Sequence, residues 1–96
     1  MRISEFQDLI RRTYHERDRD RGLDKNMLWL VEEVGELAEG VRKGDRAGLE
    51  EEMADVLAWL STVASLSGVD LERAALAKYG QGCPRCRAIP CGCPPA

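Results

Sequence analysis

Apolar residues recur at three- and four-residue steps along most of the chain, the repeat that lines side chains along one face of a helix. Ile3, Phe6, Leu9, Ile10 and Tyr14 form the first such stripe. "SEFQ" offers Ser4 as its N-cap with Gln7 as capping-box partner, and the charge-dense "ERDRDRGLD" closes it at Gly22. Asp24 then caps a second helix carrying Met27, Leu30, Val31, Val34, Leu37, Ala38 and Val41, which stops at Gly44. A third helix starts near Arg46, with Leu49, Met53, Val56, Leu57, Leu60, Val63 and Ala64 on one side and Gly68 as its stop. Asp70 caps a short fourth, "LERAALAKY". No period-two run rich in β-branched residues intervenes, so the predicted fold is all-α, with four helices in a domain over residues 1–80. Residues 81–96, dense in Gly, Pro and Cys, read as an irregular tail.

Two acidic stretches break the apolar pattern. "VEEVGE" places Glu32, Glu33 and Glu36 beside the stripe of the second helix, and "EEEMADVLAW" places Glu52 and Asp55 beside that of the third. At about 100° per residue, Glu33, Glu36, Glu52 and Asp55 border the apolar faces rather than oppose them. The short connection at Gly44 and Asp45 predicts an antiparallel hairpin. Residues equidistant from it then share a level: Glu36 with Glu52, Glu33 with Asp55, Trp29 with Trp59. Four carboxylates thus converge roughly 12–17 Å from the turn at about 1.5 Å per residue. Like charges that close repel unless a cation sits between them, and an oxygen-only donor set favours Mg²⁺ or Mn²⁺. A lone acidic repeat is usually a solvated helix face; a second one in mirror register is what points to a metal.

Composition narrows the field. Ninety-six residues, 44% hydrophobic and 32% charged, suit one small domain. A net charge of −3 and pI near 5.2 give no basic stripe, so no nucleic-acid partner is expected. Neither a span of about 18 apolar residues nor a signal-peptide h-region is present, which predicts no membrane association and a cytoplasmic protein. The four cysteines lie between Cys83 and Cys93, too confined to staple the helical body, and are expected as thiols or metal ligands.

"EEVGE", followed after fifteen residues by "EMAD", resembles the EExxE…ExxD signature of the MazG-like branch of the all-α nucleoside triphosphate pyrophosphohydrolases. The similarity extends from "NMLWLVEEVGEL" to "LAKY". It implies a four-helix MazG-like bundle completed by assembly into dimers or tetramers. It also implies Mg²⁺ on the acidic motif and hydrolysis of nucleoside triphosphates to a monophosphate and diphosphate. By the resemblance, Glu33, Glu36, Glu52 and Asp55 are the metal ligands, and Glu32 helps hold a further ion or orients the attacking water. Lys78 matches the family's phosphate-contacting lysine, whereas the asparagine that usually follows has no counterpart in "YGQGCPRC".

The remaining features carry weaker expectations. Trp29 and Trp59 read first as core or subunit-interface packing and second as a stacking surface for the base. His15 reads as a helix-surface residue, and Lys25, Arg42, Lys43 and Arg73 as solvated charges able to meet phosphate. "CPRCRAIPCGC" offers Cys83, Cys86, Cys91 and Cys93 as a tetrahedral Zn²⁺ site, through a CxxC knuckle and a tighter CxC chelate four residues on. Such a site is cramped within one chain; ligands shared between subunits, free thiols or a Cys83–Cys86 disulfide are the alternatives. The competing function is a non-catalytic nucleotide- or metal-binding regulatory module acting through this tail.

Overall fold

The computed structural model describes residues 1–95 and contains four α-helices: α1 (Ile3–Arg21), α2 (Leu23–Lys43), α3 (Arg46–Leu66) and α4 (Leu71–Tyr79). No strand occurs among the described residues, so the all-α expectation holds.

The helix boundaries depart from the sequence reading in two places. Ser4 lies inside α1, because the helix begins at Ile3 and the Arg2 N–H is met by the Glu5 carboxylate at 2.9 Å. Gln7 is therefore free for longer-range work. Its amide donates to Ser65 Oγ (3.2 Å) and the Val69 carbonyl (2.8 Å) and accepts from the Leu71 N–H (2.9 Å), fastening α1 to the α3–α4 turn. Asp24 lies in the first turn of α2, and Gly22 ends one helix and starts the next at φ 90°, a conformation open chiefly to glycine.

The α2–α3 hairpin forms the main packing unit. It turns at Gly44, whose left-handed backbone (φ 71°) returns its N–H to the Gly40 carbonyl at 2.9 Å. Trp29 and Trp59 stack at 6.1 Å between centroids, so the predicted mirror register is the observed one. Helix α1 lies across the C-terminal half of α3, and α4 departs from α3 at 99°. Asp70 caps α4 through the Arg73 N–H (3.1 Å), and α4 is tied back to α1 by Glu72, which pairs with Arg2 at 2.7 Å and accepts from Ser4. A single chain is thus three packed helices with a short fourth crossing one end.

Very little of the apolar pattern is buried in one chain. Leu30 and Ala64 are the only buried hydrophobic residues among those described, while Val31 and Val41 remain 57% and 59% exposed. Met27 and Val34 on α2, with Met53, Leu57 and Leu60 on α3, continue this open apolar face. The radius of gyration, 15.6 Å, exceeds the roughly 12.5 Å of a compact chain of this length. No single helix is long and apolar enough to cross a membrane.

Candidate metal centre

The hairpin brings Glu33, Glu36 and Glu52 together, with one carboxylate oxygen from each lying within 4.8 Å of the others. Their placement follows from helical phase. Glu33 on α2 and Glu52 on α3 sit at the seam of the hairpin and are half-buried, whereas Glu36, one turn further along α2, stays exposed at the rim. One oxygen of Glu33 and one of Glu52 are fully buried and meet no hydrogen-bond donor. Orphaned buried carboxylate oxygens are costly, and here two point into one cluster.

The electrostatics record that cost. Burial pushes the Glu33 carboxyl up to about 7, with further upward pressure from proton sharing with Glu52 and from the charges of Glu36 and Asp55. Burial also raises Glu52, and the adjacent Glu33 carboxyl partly offsets that rise. Near neutral pH the pair is therefore poised between sharing a proton and releasing it. A cation placed among these oxygens would satisfy the same lone pairs without needing the proton, and an oxygen-only donor set suits a hard divalent ion.

The other residues singled out from sequence are distributed differently. Asp55 lies outside the three-carboxylate group but acts on Glu33 and Glu52 through its charge, and with Tyr14, Arg17, Asp18, Arg21 and Trp59 it lines a cavity of about 290 Å³ between α1 and α3. Glu32 is exposed on α2 outside the three-carboxylate group. Trp29 and Trp59 lie against each other, Arg21 sits over the Trp59 ring at 5.1 Å, and Trp29 stays 44% exposed. Lys78 reaches over the Tyr79 ring (5.5 Å) on a helix bound to the N-terminal turns of α1. Asp18, at the cavity, lies some fourteen residues along α1 from Ser4, about 20 Å at helical rise. Within one chain Lys78 is therefore remote from the acids. Arg42 and Lys43 pair with Glu39 at 4.0 and 3.0 Å, and Lys25, Arg73 and His15 are exposed. The four cysteines form a second cluster, in the tail.

Sequence reasoning missed a buried polar junction beside the site. Asn26, 0% exposed, donates to the carbonyls of Asp18 (2.7 Å) and Gly22 (2.8 Å) and accepts from Arg21 at 2.9 Å. Asp18, 5% exposed, accepts from Thr62 of α3 (2.9 Å) and pairs with Arg21 at 3.2 Å. This network joins α1, α2 and α3 and aims Arg21 at Trp59. Its signal in the sequence was slight: an acid and an arginine three apart, a glycine, then an asparagine four residues later, inside a run that reads as solvated charge.

A seam of acids on an antiparallel all-α hairpin matches one family model. The MazG nucleotide pyrophosphohydrolase domain model matches residues 21–87, more than half of the chain. The chain belongs to the MazG nucleotide pyrophosphohydrolase family. The MazG match takes in Glu33, Glu36, Glu52 and Asp55, the Trp29–Trp59 pair and α4, and it begins at Arg21, so most of α1 lies before it.

Proposed function

We propose that this MazG-family chain is a Mg²⁺-dependent nucleoside triphosphate pyrophosphohydrolase, releasing a nucleoside monophosphate and diphosphate and clearing noncanonical or surplus nucleotides. The observation that carries the reading is the pair of partnerless inner oxygens on Glu33 and Glu52, set beside Glu36. Glu33, Glu36 and Glu52 would hold the ion, with Asp55 adding charge nearby; Mn²⁺ suits the same donors. Bound there, the ion would neutralise triphosphate oxygens and acidify a water.

The chain's own side chains supply the rest. Glu33 and Glu52 are held by hairpin packing, so their carboxylates need little reorganisation. Glu32 and Glu36, both exposed, can accept a hydrogen bond from the attacking water and orient it. Arg17 and Arg21 bring positive charge to the adjoining cavity, where the nucleotide's anionic end can lie. The Trp29–Trp59 stack backs this cavity, with Trp59 at its wall, and a base can meet that wall only by displacing Arg21.

The partner is a second copy of the chain. Met27, Val31, Val34, Met53, Leu57 and Leu60 of the hairpin stay 39–57% exposed in one chain, an apolar surface that a second copy can cover. Lys78, remote from the acids in its own chain, would then contact phosphate only from a neighbouring subunit. Diphosphate release from a panel of nucleoside triphosphates tests the reading. Turnover should stop with a chelator, return with Mg²⁺ or Mn²⁺, and fall sharply in Glu36→Gln. Absence of turnover with every triphosphate, or turnover indifferent to Glu36→Gln, would sink it.

A further inference from the structure

We propose that the tail is a closed zinc site in which Cys83, Cys86, Cys91 and Cys93 of one chain are the four ligands, a structural knuckle separate from the carboxylate centre. The sulfurs carry the argument. Cys83 Sγ lies 3.8 Å from Cys93 Sγ, Cys86 Sγ lies 3.9 Å from Cys91 Sγ, and all four fall within 4.8 Å of one another. A tetrahedron of sulfurs at a Zn–S distance of about 2.3 Å has edges of about 3.8 Å, so the two short separations are those of opposite edges. They are far too long for disulfides, and all four cysteines are free.

The loop between them is shaped for this. Each short separation joins one cysteine of the CxxC to one of the CxC, so the two halves interleave and the four-residue spacer suffices within a single chain. The Cys83 carbonyl accepts from the Arg87 N–H at 2.6 Å, and the Cys83 N–H returns to the Ala88 carbonyl at 3.2 Å. Arg87 takes a left-handed backbone (φ 60°), which swings the chain back over Cys83. Backbone N–H groups of Gly92 and Cys93 point at Cys86 Sγ (3.3 Å) and Cys91 Sγ (3.4 Å), the outer-shell donors that thiolate ligands take.

Nothing else present explains why the segment folds. Among the described residues, the hydrogen bonds of residues 83–93 stay within residues 81–93, and Ile89, its largest apolar side chain, is 83% exposed. With neither core nor helix to lean on, its order must come from what joins the sulfurs. Four protein ligands leave no open position, so the role is structural rather than catalytic.

Metal analysis of the full chain, purified under reducing conditions, tests this. About one zinc per chain is expected. After dialysis Cys86→Ala and Cys91→Ala should retain roughly tenfold less, or lower still, with the far-ultraviolet helical signal intact because α1–α4 share no hydrogen bond with residues 83–93. Cobalt substitution should give the intense sulfur-to-metal charge transfer of a tetrahedral thiolate site, unchanged in Glu33→Gln. Zinc-free protein with four alkylatable thiols, protein oxidised to disulfides despite the reductant, iron in place of zinc, or zinc that leaves with Glu33→Gln instead of Cys86→Ala would each overturn the proposal.

Discussion

The hairpin and the tail each gather a cluster of metal-type donors, and they do so for opposite reasons. At the hairpin, packing comes first. The Trp29–Trp59 stack, the Gly44 turn and the seam around Leu30 fix two helices, and the carboxylates of Glu33 and Glu52 are carried into each other's field as a result. The fold tolerates that repulsion, and the orphaned oxygens and the raised Glu33 show its cost. In the tail the cluster has no such scaffold: among the described residues, the hydrogen bonds of residues 83–93 stay within their own neighbourhood. The first site is imposed on its ligands by the fold; the second is a fold that exists through its ligands. Removing charge should therefore relax the hairpin and removing metal should dissolve the tail.

The largest expected effect lies at the hairpin. Glu33→Gln and Glu52→Gln keep shape and remove charge, so kcat/KM for a hydrolysed triphosphate should fall by about 100-fold or more. Each variant should melt no lower than the parent without metal, since repulsion has been relieved. Melting scans alongside turnover check both halves. A variant that loses activity and stability together would mean that these glutamates hold the hairpin up, contrary to the comparison.

The next effect is confined to the tail. A chelator strong enough to take zinc should open the segment after Gly80 to proteases while α1–α4 stay protected and the helical circular dichroism persists. Peptide mapping of a limited digest reads this directly. Cleavage appearing first within α2 or α3 would show that the metal dependence belongs to the hairpin.

How much of this was legible in the chain divides along the same line. The hairpin was, because helical periodicity and a glycine stop are local signals, and reflecting residues through the turn gives cross-helix neighbours; the Trp29–Trp59 level came out as read. Asp55 was read as level with Glu33, and its charge does act on Glu33 and Glu52; that it also lines a cavity with α1 was not legible, because the docking of a third helix is encoded in no spacing. The Ser4–Gln7 cap failed for a similar reason, with Gln7 bonded to residues more than fifty positions away. Asn26 was invisible, since a buried amide differs from an exposed one only through its partners. The CxxC and CxC spacings were legible, but their interleaving was not, because it depends on the backbone reversal at Arg87.

A smaller effect tests whether the hairpin site is independent of metal because α1 is locked to it. Asn26→Ala leaves the Asp18 and Gly22 carbonyls without their side-chain donor and Arg21 without one acceptor, all at a buried junction. The expected loss is about 1–3 kcal/mol of unfolding free energy, read from urea titration, with zinc content unchanged. A loss well under this range would mean that the junction relaxes onto water and does little to seat α1.

The smallest effect is in the pH dependence, and its sign follows from Glu33. Its folded value is about 7 against an ordinary 4.5, so between these the folded protein holds a proton that the unfolded chain has released. Stability without metal should accordingly fall as pH rises from about 5 to 7.5, on the order of a few degrees in Tm, and Glu52, also raised, adds in the same sense. Asp8 and Glu72 are held low by Arg11 and Arg12 and by Arg2, so their contributions are lost only at more acid pH and leave this window alone. Mg²⁺ competes for the oxygens that the proton occupies, so the rise in Tm that it produces should be small at pH 5 and grow toward pH 7.5. Glu33→Gln has no proton to lose at this site, and its slope should flatten with and without the ion. A parent slope of the opposite sign, or a Mg²⁺ gain that does not change with pH, would mean that the hairpin carboxylates are not strained by one another, and the contrast with the tail would lose its physical basis.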